Sequence, residues 1–114
     1  MSENEIILNG VVYVPKESTN EQKYVIIRSE KAGVFAGYLK KDEGDKVELI
    51  NSRRVWYWEG AATLDQLAVD GTSKPDKCKF PCVVSRKKIL GVIEIIPTTE
   101  KARISIQGVK VWSC

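Results

Sequence analysis

Apolar residues in this chain fall in short β-branched runs punctuated by turn formers, a rhythm that restricts it to a sheet of neighbouring, mostly antiparallel strands. Ile6-Ile7-Leu8 and Val11-Val12-Tyr13-Val14 flank Asn9-Gly10, a pair favoured in two-residue hairpins because both residues tolerate positive φ. Tyr24 to Arg28 and Val34 to Leu39 predict two strands, and Asp42-Glu43-Gly44-Asp45 a solvated turn leading into a long strand over Lys46 to Trp58. Alternation along that strand puts Val47, Leu49, Asn51, Arg53, Val55 and Tyr57 on one face and Glu48, Ile50, Ser52, Arg54, Trp56 and Trp58 on the other. Thr63-Leu64-Asp65-Gln66 fits a capping box, and a short helix from there ends at Gly71. Lys88 to Pro97 returns to strand, with Ile89, Gly91, Ile93 and Ile95 on one face. A second helix starts at Pro97-Thr98-Thr99-Glu100 and runs to about Gln107, and Val109 to Trp112 closes the chain as a strand. The expectation is one α+β domain over residues 1–114, a mostly antiparallel sheet of about six strands with two short helices.

A chain of 114 residues buries roughly two-thirds of its unfolded surface, enough for an ordinary core without staples. Cys78, Cys82 and Cys114 are an odd set that resembles no disulfide framework, and their spacing is not C-x-x-C. The chain contains no histidine, which removes Ser-His-Asp and Cys-His nucleophilic sites and histidine metal sites. No glycine pattern matches a phosphate-binding loop or a dinucleotide fingerprint. A binding protein without catalysis, cofactor or metal is therefore expected. The apolar runs are too short to span a bilayer, and the acidic start, Met-Ser-Glu-Asn-Glu, lacks the pattern of a secretory signal, so a cytoplasmic location is expected.

The segment Asn51-Ser52-Arg53-Arg54-Val55-Trp56-Tyr57-Trp58 carries the most chemistry. Two guanidinium groups can hold phosphate through paired N–H donors, and neighbouring aromatics can stack on a purine. The same aromatics are also explained as core or as a subunit interface. The loop Lys74 to Pro81 offers lysines around Phe80, either to cover a phosphate-bearing ligand or as a polar connection anchored by that ring. The helix start at Thr98-Thr99-Glu100 offers N–H groups to an anion, an attraction that Glu100 partly cancels.

Several runs together resemble a known family: Ala32-Gly33-Val34-Phe35-Ala36-Gly37-Tyr38-Leu39, Arg53 to Ala62 around Arg-Arg-Val-Trp-Tyr-Trp, Cys78-Lys79-Phe80-Pro81-Cys82, Ile93 to Pro97, and Thr99-Glu100-Lys101-Ala102. They are similar to the first group of Thoeris anti-defence proteins of phages and prophages, over most of the chain from about Tyr24. The resemblance implies sequestration: such proteins bind a cyclic ADP-ribose isomer made by the host's immune enzyme and keep it from its effector. It also implies homodimers that associate into hexamers, with further sites for cyclic trinucleotides, in the cytoplasm of the infected host. On this pattern Arg53 or Arg54 together with Arg103 would hold phosphate, and Phe80 would stack on the ligand, with Phe35 and Trp56 behind it. Three other readings stay open, one of them an enzyme that degrades the signal. A small nucleic-acid-binding module would use the same residues, although the net charge of +3 is low for one. A host-protein-blocking interaction domain would use the aromatic patch instead.

Overall fold

In a computed structural model of the chain, residues 7–8, 10–12 and 23–112 are described. The hairpin expected around Asn9-Gly10 depends on Asn9, Tyr13 and Val14, which lie outside the described residues. Five strands form one antiparallel sheet: β1 (Tyr24–Ser29), β2 (Gly33–Asp42), β3 (Lys46–Arg54), β4 (Val84–Leu90) and β5 (Val92–Pro97), in the order β4-β3-β2-β1-β5. Two helices, α1 (Leu64–Asp70) and α2 (Glu100–Gly108), complete an α+β domain.

The sheet is buried on both faces along β1, whose Tyr24, Val25, Ile26 and Ile27 are all buried. Tyr24 and Ile26 point outward with Ala36 and are covered by Leu67 and Ala68 of α1, Ile106 of α2, Phe80 and Val109. Val25 and Ile27 point the other way and pack with Phe35, Val47, Leu49 and Ile89. Among the described residues no helix packs on this second cluster; the sheet covers itself by curling. The edge strands β4 and β5 stand at opposite ends of the strand order, yet only Gly91 separates them in the chain, so the two edges must meet at that corner. Gly91 makes the corner at φ +69°. Around it Glu30 N–H donates to the Gly91 carbonyl (2.9 Å), Val92 N–H to the Asp45 carbonyl (2.9 Å), and the Ser29 hydroxyl to the Leu90 carbonyl (2.7 Å).

The stretch expected as one strand from Lys88 to Pro97 is thus two strands on opposite edges. Its four-residue face breaks at the corner: Ile89 is buried and Ile95 packs against the inner cluster, while Ile93 is 53% exposed. The strand expected to end at Trp58 stops at Arg54, and the one expected over Val109 to Trp112 is reduced to a single bridge between Val111 and Phe80. The helix boundaries follow the expected caps. The Thr63 hydroxyl accepts from Gln66 N–H (3.2 Å), Gly71 caps the carboxyl end of α1, and the Thr99 hydroxyl accepts from Ala102 N–H (3.1 Å).

Arg53 fastens the outer layer to the sheet. Its side chain is buried and donates to four carbonyls: Nε to Pro81 (3.1 Å), Nη1 to Ile106 (3.1 Å) and Val109 (2.8 Å), and Nη2 to Phe80 (2.8 Å). The guanidinium also lies 5.5 Å from the centre of the Phe80 ring. Each hydrogen bond from a charged donor is worth about 1.5–3 kcal/mol, and a buried carbonyl left unpaired costs a further penalty. Arg53→Met should therefore destabilise the fold by more than about 3 kcal/mol, with Arg53→Lys recovering only part because an ammonium cannot span the fork. Urea unfolding checks this; a loss below about 1 kcal/mol would remove the fastening role.

Candidate anion-binding site

The neighbouring arginines of β3 take opposite faces, as strand alternation requires, and a bulge in the strand decides which face each one takes. Ala36 of β2 pairs with Arg53 and Tyr38 with Ile50, so Gly37 faces two residues, Asn51 and Ser52. Asn51 takes φ +50°, a conformation asparagine tolerates better than most residues. Gly37 is needed opposite: a Cβ there would lie 2.7 Å from the Ser52 Cβ. The extra residue reverses the phase of everything after it. Val47 and Leu49 point into the curl, yet Arg53 points out to the helices and Arg54 points in over Phe35. The two arginines do take opposite faces, each the reverse of the face that simple alternation gives.

Arg54 sits with its guanidinium carbon 4.5 Å from the centre of the Phe35 ring. The Lys87 ammonium lies 4.8 Å from the same centre. Lys87 pairs across the strands with Leu49, a core residue, and stands two residues before the buried Ile89. It therefore occupies an inward position at the open mouth of the curl, since directly paired residues share a face. Burial lowers the Lys87 pKa from its ordinary value, and the Arg54 charge lowers it further. Arg54 spends one donor on the Ala32 carbonyl (2.6 Å).

These groups line two adjoining grooves that share Lys31, Ala32 and Arg54. One, of about 460 Å³, is lined by Lys31, Phe35, Arg54, Lys87, Lys88 and Leu90. The other, of about 310 Å³, passes from Lys31 and Arg54 to Trp56 and Trp58. Among the described residues neither groove is lined by a carboxylate. Trp56 is 62% exposed, whereas the Trp58 indole donates to the Ala61 carbonyl (3.2 Å) and is half-buried. The arrangement is a cationic cleft with an aromatic floor and an exposed indole at one end, which is what a phosphate group attached to a flat ring requires.

Of the six residues singled out from the sequence, Arg54, Phe35 and Trp56 converge here. Phe35 is 1% exposed and acts as the floor under two cations; it has no free face for stacking. Arg53 and Phe80 lie together in the outer core. Phe80 is fully buried and the Arg53 donors are occupied by carbonyls, so neither is presented to a ligand in this structure.

Arg103 lines a different groove, of about 420 Å³, with Lys23, Tyr24, Tyr38, Thr98 and Glu100. It is bound by the Glu100 carboxylate and donates to Gln107 (2.8 Å). Its bonds to Glu100 raise its pKa and lower that of Glu100. Burial pushes Tyr24 up to about 12. Because Glu100 neutralises Arg103, this groove attracts anions less than the one around Arg54.

Lys31, Lys87 and Lys88 were not singled out from the sequence. Reading the strand from Val84 instead of Lys88 would have put Lys87 in phase with Ile89, an inward lysine and hence a signal.

Among the described residues no group of three or more cysteine, aspartate or glutamate side chains could hold a metal ion, and no helix is long and apolar enough to cross a membrane. A family model described as "Domain of unknown function (DUF6948)" matches residues 22–106, and the chain belongs to that family. No curated protein and no solved structure matches the chain.

An inward lysine with a lowered pKa has a signature in stability. The unfolded chain binds that proton up to the ordinary value near 10.5 and the folded chain releases it sooner, so Lys87 makes stability rise with pH just below 10.5. Tyr24 acts oppositely, and only above about pH 10, where the unfolded phenol ionises first. Urea midpoints from pH 7 to 10 should rise less in Lys87→Met than in the parent, with the parent less stable than the variant at pH 7. Parallel curves would show that Lys87 does not feel the cleft.

Proposed function

We propose that the chain binds a phosphate-bearing nucleotide in the paired grooves around Arg54 and holds it without chemical change. The observation that carries this reading is the convergence of Arg54 and Lys87 on one phenylalanine ring, with Lys31 and Lys88 beside them and no carboxylate among the described residues that line the cleft. Two cations held together inside a protein repel, and a bound polyanion turns that cost into attraction. The phosphates take the wider groove between Arg54, Lys87 and Lys88, and the base lies along the narrower groove against Trp56.

In its specific form, which rests on the resemblance of the motifs, the ligand is a cyclic ADP-ribose isomer, with cyclic trinucleotides as further ligands. The chain is then a phage or prophage anti-defence protein, a homodimer or hexamer that sequesters the immune signal in the cytoplasm of the infected host. Effective sequestration of a micromolar signal needs a Kd well below micromolar, about −10 kcal/mol or better.

A thermal-shift panel of cyclic ADP-ribose isomers, cyclic trinucleotides, NAD, ADP-ribose and pyrophosphate tests both levels. A ligand at a hundred times its Kd should stabilise the fold by about 2.7 kcal/mol, or roughly 4 °C or more. Arg54→Gln should abolish the shift, and Trp56→Ala should weaken nucleotides by about 1–3 kcal/mol while sparing pyrophosphate. The ligand should be recovered intact after heat denaturation. Silence across the panel overturns nucleotide binding, a shift with other nucleotides but no cyclic ADP-ribose isomer overturns the specific form, and disappearance of the ligand overturns sequestration.

A further inference from the structure

Taking the cleft around Arg54 as an anion site, on which this inference rests, we infer that Lys87 is a reactive amine that condenses with the carbonyl of an anionic aldehyde or ketone held there. Lys87 is the one lysine among the described residues that is not exposed. It lies on the inward face of β4, with its ammonium 4.8 Å from the Phe35 ring centre and Arg54 over the same ring. A lysine becomes nucleophilic when it is withdrawn from water or placed beside another cation, because both favour the neutral amine. Lys87 meets both conditions, and its lowered pKa agrees. Of the other titratable groups near the site, Lys31 and Lys88 add positive charge, while Cys82 raises the Lys87 pKa, against burial and Arg54.

The chemistry needs nothing further. Lys87 first yields its ammonium proton to solvent. The amine lone pair attacks the carbonyl carbon and a C–N bond forms. The carbonyl oxygen then leaves as water, carrying both remaining amine protons, and an imine is left with no change of oxidation state. Arg54 and Lys88 supply the donors for the anionic group, so a phosphorylated aldehyde is the ligand class that uses the whole cleft. A nucleotide without a carbonyl would occupy the same cations reversibly.

Pyridoxal 5′-phosphate is the probe, with borohydride reduction to fix the imine and peptide mapping to place it among the chain's thirteen lysines. At equimolar probe near neutral pH, the label on Lys87 should exceed that on any other lysine at least tenfold. Pyridoxal, which lacks the phosphate, should lose that preference, as should Arg54→Gln, and excess inorganic pyrophosphate should suppress labelling of Lys87. Lys87→Arg should carry no label above that of the exposed lysines. Label spread over the exposed lysines, with Lys87 no richer than the rest, overturns the inference. Calorimetry with pyrophosphate, run in parallel, separates the two levels: pyrophosphate binding with unselective labelling removes only the reactive amine, whereas absence of pyrophosphate binding removes the anion site as well.

Discussion

The irregularity at Asn51 decides where the charge of this protein goes. A β-strand assigns side chains to its faces by strict alternation, so Arg53 would point into the curled sheet and Arg54 out toward the helices if β3 were regular. The extra residue opposite Gly37 exchanges them. Arg53 then lies under α2 and the Phe80 segment, where backbone carbonyls absorb its donors. Arg54 turns into the mouth of the curl, where the described residues offer it one carbonyl and an aromatic ring. Bulges commonly serve to re-aim a side chain, and here a single one separates an arginine spent on backbone carbonyls from one turned into the grooves.

The two arginines illustrate how an environment assigns a role to a residue type. Burial lowers the Arg53 pKa, yet its hydrogen bonds keep the charge in place and convert it into a clamp between layers. Arg54 and Lys87 find far less compensation among the described lining residues, one carbonyl and one ring between them, and their mutual repulsion is a cost to the fold. Cores do not acquire inward cations for stability, and the sequence could fill position 87 with an aliphatic side chain continuing the Leu49–Ile89 cluster. That inward charge is the physical argument behind the proposal of a ligand at this end of the sheet.

Much of the architecture was legible in the sequence. The helix caps at Thr63 and Thr99, the Asp42–Asp45 turn and the strands beginning at Tyr24, Gly33 and Lys46 depend on local chemistry, and local chemistry is what a sequence displays. Three things were not legible. The Gly91 corner looks like any glycine within an apolar run, and only strand order shows that it joins opposite edges. The bulge depends on Gly37 facing Asn51 and Ser52, a pairing between residues distant in the chain. Phe80 reads equally well as an exposed loop anchor or as core, and its burial comes from α2, Val109 and the Arg53 fork. Tertiary pairing decides all three, and with them which side chains line the grooves around Arg54: Trp56 and three lysines do, while Arg53, Phe80 and Arg103 lie elsewhere.

The cleft is also held in place by hydrogen bonds of the fold itself. Its walls come from the β1–β2 turn, the end of β3 and the inner face of β4; the turn and β4 are tied together at the Gly91 corner, and the end of β3 is tied to the turn through Ala32. The buried Ser29 hydroxyl bridges two of them, donating to the Leu90 carbonyl while accepting from Ala32 N–H (3.2 Å). The Ala32 carbonyl in turn orients the Arg54 guanidinium. A chain of hydrogen bonds thus runs from the corner to the cation at the centre of the site. Ordering side chains on binding costs about 0.5–1.5 kcal/mol for each flexible group, and a guanidinium already held by Ala32 and Phe35 avoids most of that cost. Long exposed lysines at positions 31 and 88 remain to adjust to the outline of the ligand. A fixed central guanidinium with adaptable lysines at the rim is the arrangement that the proposed anion site calls for, and it sets Arg54, held by one carbonyl and one ring, apart from Arg53, whose four carbonyls spend its donors inside the fold.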